Sequence, residues 1–243
     1  MASHWFRSKY DTIMRLHAAQ VLKRVTGQGN SSREILFNLS QDPKTETHIR
    51  YQVAQELRDF GREEKEEAIR IFTSIGLDQE APITLRIKIL EDHLTKSVRF
   101  VDGTRHITYP EEALDIFESI GLDQKVSSST RDWCAQEVLK FGKTDKAAQI
   151  WHSIGLSPKN DEYTRTHPAF RLMKLSKEYS NPTYEAHAAE IWYFIGLDPT
   201  ATLSDKKRCI EGLCNLNKPE HQRQANEILQ TVPADQRKSM FYP

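Results

Sequence analysis

Nine histidines and three cysteines are the residues of this 243-residue chain with the widest chemical repertoire. Imidazole and thiolate can bind metals, shuttle protons and attack carbonyl carbon. Such work needs fixed spacing, and the chain contains no HExxH, no CxxC, no Walker-type glycine loop and no GxSxG. His106 in "HITYPEE" has carboxylates close by, but Glu111 and Glu112 there suit the first turn of a helix, where the dipole favours acids. His167, His187 and His221 are scattered over helix starts and read as cap or surface residues. Cys134, Cys209 and Cys214 are odd in number, two of them in apolar helix positions, and read as reduced thiols. The expectation is no catalytic residue, no metal site and no cofactor.

Lys plus Arg and Asp plus Glu number 34 each, so no global field draws the chain to phosphate backbones. No apolar run approaches the roughly 20 residues of a membrane-spanning helix, and the start lacks an apolar run of signal-peptide length. A cytoplasmic, or nuclear, protein without membrane insertion is expected.

The elements that would carry any site announce themselves by repetition. "SIGLDQ" occurs at Ser74 to Gln79 and again at Ser119 to Gln124, with looser copies "SIGLSP" from Ser153 and "FIGLDP" from Phe194. Before each copy stand an alanine, an aromatic four residues on and an isoleucine three further: Ala68, Phe72, Ile75; Ala113, Phe117, Ile120; Ala147, Trp151, Ile154; Ala188, Trp192, Ile195. That spacing paints one apolar face of a helix. The glycine after each isoleucine reads as a left-handed helix stop, with the next leucine packing back on the last turn and the aspartate opening a connection. Leu39 and Val232 extend the register, giving intervals of 36, 45, 34, 41 and 37 residues. Periods of that size with helical signals inside indicate stacked helix pairs.

The partner helix of each pair is also legible. "IRYQVAQELRDFG" from Ile49 aligns with "TRDWCAQEVLKFG" from Thr130, pairing Arg50 with Arg131 and Ala54 with Ala135, and each ends in a glycine read as a stop. "KKRCIEGLCNLN" from Lys206 keeps the register, with Asn217 in the glycine place. "SVRFVDGTRHITYP", Ser97 to Pro110, reads as a loop inserted in the longest interval, with Asp102-Gly103 and Pro110 as turn signals. The tail "RKSMFYP" ends in apolar Met240, Phe241 and Tyr242, which either cap the last pair or form a linear motif.

The unit Thr130 to Pro158 resembles a tetratricopeptide repeat: Ala135, Val138, Gly142, Ala147, Trp151, Ile154 and Pro158 fill that family's small, bulky, glycine and proline roles. It departs from the family in having Arg131, or Arg50, where a large aromatic stands near the start of the first helix. The resemblance implies an all-α, right-handed α-solenoid of about six antiparallel helix pairs in one domain over 1–243. Its parts are a helix at about 6–25, a linker at about 26–32, repeats over about 33–235 and a tail at 236–243. It further implies that first helices line a concave groove for a peptide or helix of a partner protein. The groove positions are then His48, Tyr51, Gln55 and Arg58, then Asp132, Gln136 and Lys140, then Lys207 and Glu211. The expected function is a non-enzymatic scaffold or adaptor. Single-stranded RNA binding by pentatricopeptide-like pairs is an alternative that the neutral charge disfavours, and an enzyme sited in the 97–110 insertion is a remote one.

Overall fold

A computed structural model describes residues 2–26, 29–94, 97–101, 104–158 and 162–241. Among the described residues the secondary structure is helical apart from one hairpin, and the chain divides into two compact units, Met1–Ile116 and Phe117–Pro243.

In the first unit, α1 (Ala2–Val21) runs into a π-helical turn (Leu22–Thr26), followed by α2 (Gly29–Gln41), α3 (Thr47–Leu57), α4 (Arg62–Leu77) and α5 (Ile83–Lys88). A second π-helical turn, Ile89–His93, continues α5. Consecutive helices pack together, and α1 also reaches α3. The segment expected to be a loop is instead an antiparallel hairpin of β1 (Ser97–Val101) and β2 (Thr104–Thr108), with Ser97 paired to Thr108 and Val101 to Thr104. The turn signals Asp102 and Gly103 lie outside the described residues, as do Gly27 and Gln28 of the expected linker.

The second unit follows α6 (Glu112–Leu122), where the division falls, with α7 (Ser128–Lys140), α8 (Thr144–Gly155), α9 (Glu162–Tyr179), α10 (Pro182–Leu197), α11 (Leu203–Cys214), α12 (Pro219–Gln230) and α13 (Ala234–Phe241). From α7 to α12 each helix packs on the next, while α7 also touches α9, α9 touches α11, α8 touches α10 and α10 touches α12. First helices therefore form one layer and second helices another. Helix starts carry their own caps: Ser127, Asn181 and Thr202 accept from backbone N–H groups two or three residues on, and Pro182 and Pro219 take first-turn places where no N–H is needed. His167, expected at a helix start, lies inside α9, and so does Pro168. Tyr242 of the tail lies outside the described residues.

The alanine, aromatic and isoleucine stripe is core, as its spacing indicates. Ala68, Phe72 and Ile75, and their counterparts through Ile195, are all 2% exposed or less. The glycines behave differently from the expectation. Gly76, Gly121 and Gly196 sit inside α4, α6 and α10, and Gly155 closes α8; among described glycines only Gly142 has a positive φ, of 73°. What requires glycine is the neighbouring second helix. A Cβ on Gly76 would stand 2.5 Å from Ile116 Cδ1, one on Gly121 2.6 Å from Ile150 Cδ1, and one on Gly155 2.5 Å from Ile191 Cδ1, with Gly196 meeting Ile228 in the same way. Each glycine is the hole for an isoleucine knob one repeat later.

The other letters of the hexamer also have assignable work. Leu77, Leu122 and Leu197 are 40%, 40% and 39% exposed and stay outside the core. Asp78, Asp123 and Asp198 accept through Oδ1 from the backbone N–H two residues on, at 3.0, 2.9 and 2.9 Å. This is the side-chain turn that aspartate favours after a helix. Of the residues expected as stops, Gly142 and Asn217 are left-handed, at φ 73° and 56°, whereas Gly61 is an extended N-cap of α4 at φ −127°.

Candidate interaction surface

In the first unit, His48, Tyr51 and Gln55 lie on α3 with Arg58 as its C-cap, and His93 joins Tyr51 and Arg58. Tyr51, expected to face outward, is only 8% exposed; its hydroxyl lies 2.8 Å from His93 Nε2 and accepts from Gln55 Nε2 at 3.3 Å. Arg58 NH1 reaches His93 Nδ1 at 2.7 Å. A guanidinium only donates, so Nδ1 must accept, which makes the imidazole neutral with its hydrogen on Nε2, donated to Tyr51. The His93 ring stacks on Phe72 at 4.1 Å and 4°. Burial, and then the charge of Arg58, hold the His93 pKa down at about 4. His48 stands apart, exposed, with Nδ1 3.2 Å from Glu46. The sequence reading missed His93; its signal is its place in "LEDHL", one turn below buried Ile89 and Leu90.

In the second unit, Asp132 serves the fold from within the first-helix layer. Trp151, buried on α8, donates its indole N–H to Asp132 Oδ1 at 2.7 Å, and Gln136 donates to Oδ2 at 2.8 Å. Arg171 of α9 approaches the same carboxylate at 4.0 Å. Lys140 is exposed and pairs with Glu137 at 2.7 Å; Lys207 and Glu211 lie 3.9 Å apart along α11. Asp132 and Gln136 on α7 are thus joined in one network, and the predicted residues on α11 form one ion pair.

Between α9 and α11 opens a cleft of about 290 Å³, with Phe170, Met173 and Trp192 as its apolar walls and Lys177, Arg208 and Glu211 at its rim. Phe170 is 49% exposed, and its ring meets that of Trp192 edge-on at 5.5 Å. Gly212 keeps the cleft close to the core, because a Cβ there would come within 2.6 Å of the Trp192 ring. Of the predicted positions, Glu211 alone lines it. The pattern missed Phe170 because it occupies the register place of Gln136, which reads as polar surface.

A second series lies beneath this layer. Arg50, Arg86, Arg131, Arg165 and Lys206 share one register place, and the last four are 1%, 1%, 2% and 8% exposed. Arg131 donates to the Gly121 carbonyl at 2.8 Å and to Ser153 Oγ at 2.7 Å, and Arg86 donates to the Gly76 carbonyl at 2.8 Å. Arg50 reaches Ser74 Oγ, Lys206 reaches Thr231 Oγ1 at 2.9 Å, and Arg165 stands over the Phe194 ring at 5.0 Å while donating to Asp198 at 2.8 Å. That bond and those from Thr200 pull the Asp198 pKa down to about 2. The position where the resemblance wants an aromatic is therefore a cation anchoring the hexamer.

Among the described residues no group of three His, Cys, Asp or Glu side chains could hold a metal ion, and no helix is long and apolar enough to cross a membrane. Neither a family model, nor a curated protein, nor a solved structure matches the chain. The helix-pair assignment rests on the chain's own internal repetition.

Proposed function

We propose that this protein is a non-enzymatic interaction module that docks a peptide segment of a partner protein on the first-helix layer of its second unit. The observation that carries this reading is the α9/α11 cleft: an open apolar slot with a half-exposed phenylalanine, placed on the layer where the resemblance puts a binding groove. A slot of about 290 Å³ suits one or two side chains of a ligand, and rim charges of both signs suit a polar backbone beside them. Stacked helices present such a surface with little ordering cost on binding. The finer architecture belongs to this reading: tetratricopeptide-like pairs, about six in number, stacked in the right-handed sense within each unit. So does a cytoplasmic setting, which the buried thiols Cys134 and Cys209 support. The balanced charge gives RNA binding no comparable support.

Selection of displayed peptides on the whole chain tests the proposal. Enriched peptides should lose at least about fivefold in affinity on Phe170→Ala and on Glu211→Lys, and nothing on Leu77→Ala, since truncating a partly buried aromatic anchor removes about 1 kcal/mol or more. Ligands indifferent to Phe170 and Glu211 would place recognition elsewhere.

A further inference from the structure

The α9/α11 cleft holds a donor that the fold leaves unanswered. Trp192 forms one wall and is 2% exposed, and its indole N–H is buried with no acceptor among the described residues. The preceding repeat shows what answers this group: Trp151, at the same register place, donates to Asp132, whose other oxygen accepts from Gln136. Arg131, Ala135 and Val138 of α7 correspond to Arg165, Ala169 and Leu172 of α9, which puts Thr166 where Asp132 stands and Phe170 where Gln136 stands. These two differences remove the carboxylate acceptor. They also replace its amide neighbour with a ring that is half exposed over the tryptophan.

We propose that the cleft takes an acidic side chain of the bound peptide, whose carboxylate gives Trp192 the acceptor that Asp132 gives Trp151. This rests on the reading of the first-helix layer as a peptide-docking face. The indole N–H is out of reach of solvent in the unliganded cleft. Admission of the carboxylate requires Phe170, the exposed member of the ring pair, to shift beside Trp192, and its ring then packs on the apolar side chains of the peptide. Lys177 lines the cleft opposite Glu211 and offsets the incoming negative charge, while Arg208 beside it is held 3.7 Å from Asp205. A peptide carboxy terminus carries the same chemistry, and the test separates the two.

The whole chain, labelled with ¹⁵N, is titrated with three peptide pools: acetyl-X-X-Leu-Glu-Leu-X-X-amide, its Gln counterpart, and acetyl-X-X-Leu-Leu with a free carboxy terminus. Four tryptophans give four indole cross-peaks, and W192F assigns the one of interest. The Glu pool should move the Trp192 cross-peak downfield and bind about tenfold more tightly than the Gln pool, as a charged acceptor on a buried donor warrants. W192F should abolish that preference. T166D should move the same cross-peak without peptide and remove the preference as well; if that variant does not fold, W192F carries the comparison. Equal binding of the Glu and Gln pools with Trp192 unmoved overturns the inference and leaves peptide docking standing. A shift with the free-terminus pool alone overturns the side-chain assignment, and no binding by any pool overturns both readings.

Discussion

Single residues in this chain are tuned mainly by burial and by one close partner. His93 is held neutral between Arg58 and Tyr51, with a folded pKa of about 4 against an ordinary value of 6.5. Because the folded value is depressed, the unfolded chain binds the proton first as pH falls. The stabilisation is whole above about pH 6.5 and lost as pH drops toward 4. Chemical denaturation at pH 7 and pH 5 should show wild-type losing stability that H93F, which keeps the stack on Phe72, does not lose. Equal pH sensitivity of the two proteins would contradict the neutral bridge. Asp132 gives a second test: D132A strands the buried Trp151 indole N–H and should cost about 1–3 kcal/mol in a urea melt. Tyr51 and Asp132 were legible as polar residues on a first helix, but their partners were not. His93 is 42 residues from Tyr51 and Trp151 is 19 from Asp132, and no local pattern spans such distances.

At the scale of elements, the second helices are joined by a glycine on one and an isoleucine on the next. Alanine normally favours a helix over glycine by about 1 kcal/mol. Gly155→Ala should instead destabilise by about 1–3 kcal/mol, because the added methyl overpacks against Ile191. In a double-mutant cycle, Ile191→Ala should cost clearly less in the Gly155→Ala background than alone, and additive effects would argue against the contact. Gly142→Ala serves as a contrast. Nothing lies within 4 Å of a Cβ there, and its cost of about 1–2 kcal/mol comes from φ alone. Arg131→Met should cost about 1–3 kcal/mol by leaving the Gly121 carbonyl and Ser153 without their donor. Helix positions and the buried stripe were readable because apolar spacing is a local property. The role of the glycines was not, since glycine followed by leucine and aspartate also spells a helix stop. The β1–β2 hairpin escaped for a different reason: five-residue strands give too short an alternation to stand against a turn signal.

For the whole molecule, the repeated hexamer stands for nearest-neighbour assembly. At Ser74 and Ser153 its serine takes the cation of its own first helix, its isoleucine closes the core, and its glycine seats the next second helix. Its aspartate turns the chain toward the next pair. Stability in such an array is a sum of local pair and interface contributions, so a lesion at one interface should spread to adjacent pairs and fade beyond them. Peptide docking on the α9/α11 face should then suffer when α8 and α10 are pried apart. The exposed hexamer leucines should tolerate change, with Leu122→Ala shifting stability by less than about 0.5 kcal/mol in thermal melts. The most direct test is amide hydrogen exchange, followed by mass spectrometry, on Gly155→Ala beside the wild type. Nearest-neighbour assembly predicts faster exchange in α7 through α10 with α3 and α4 unchanged, whereas an equal loss of protection along the whole chain would contradict it.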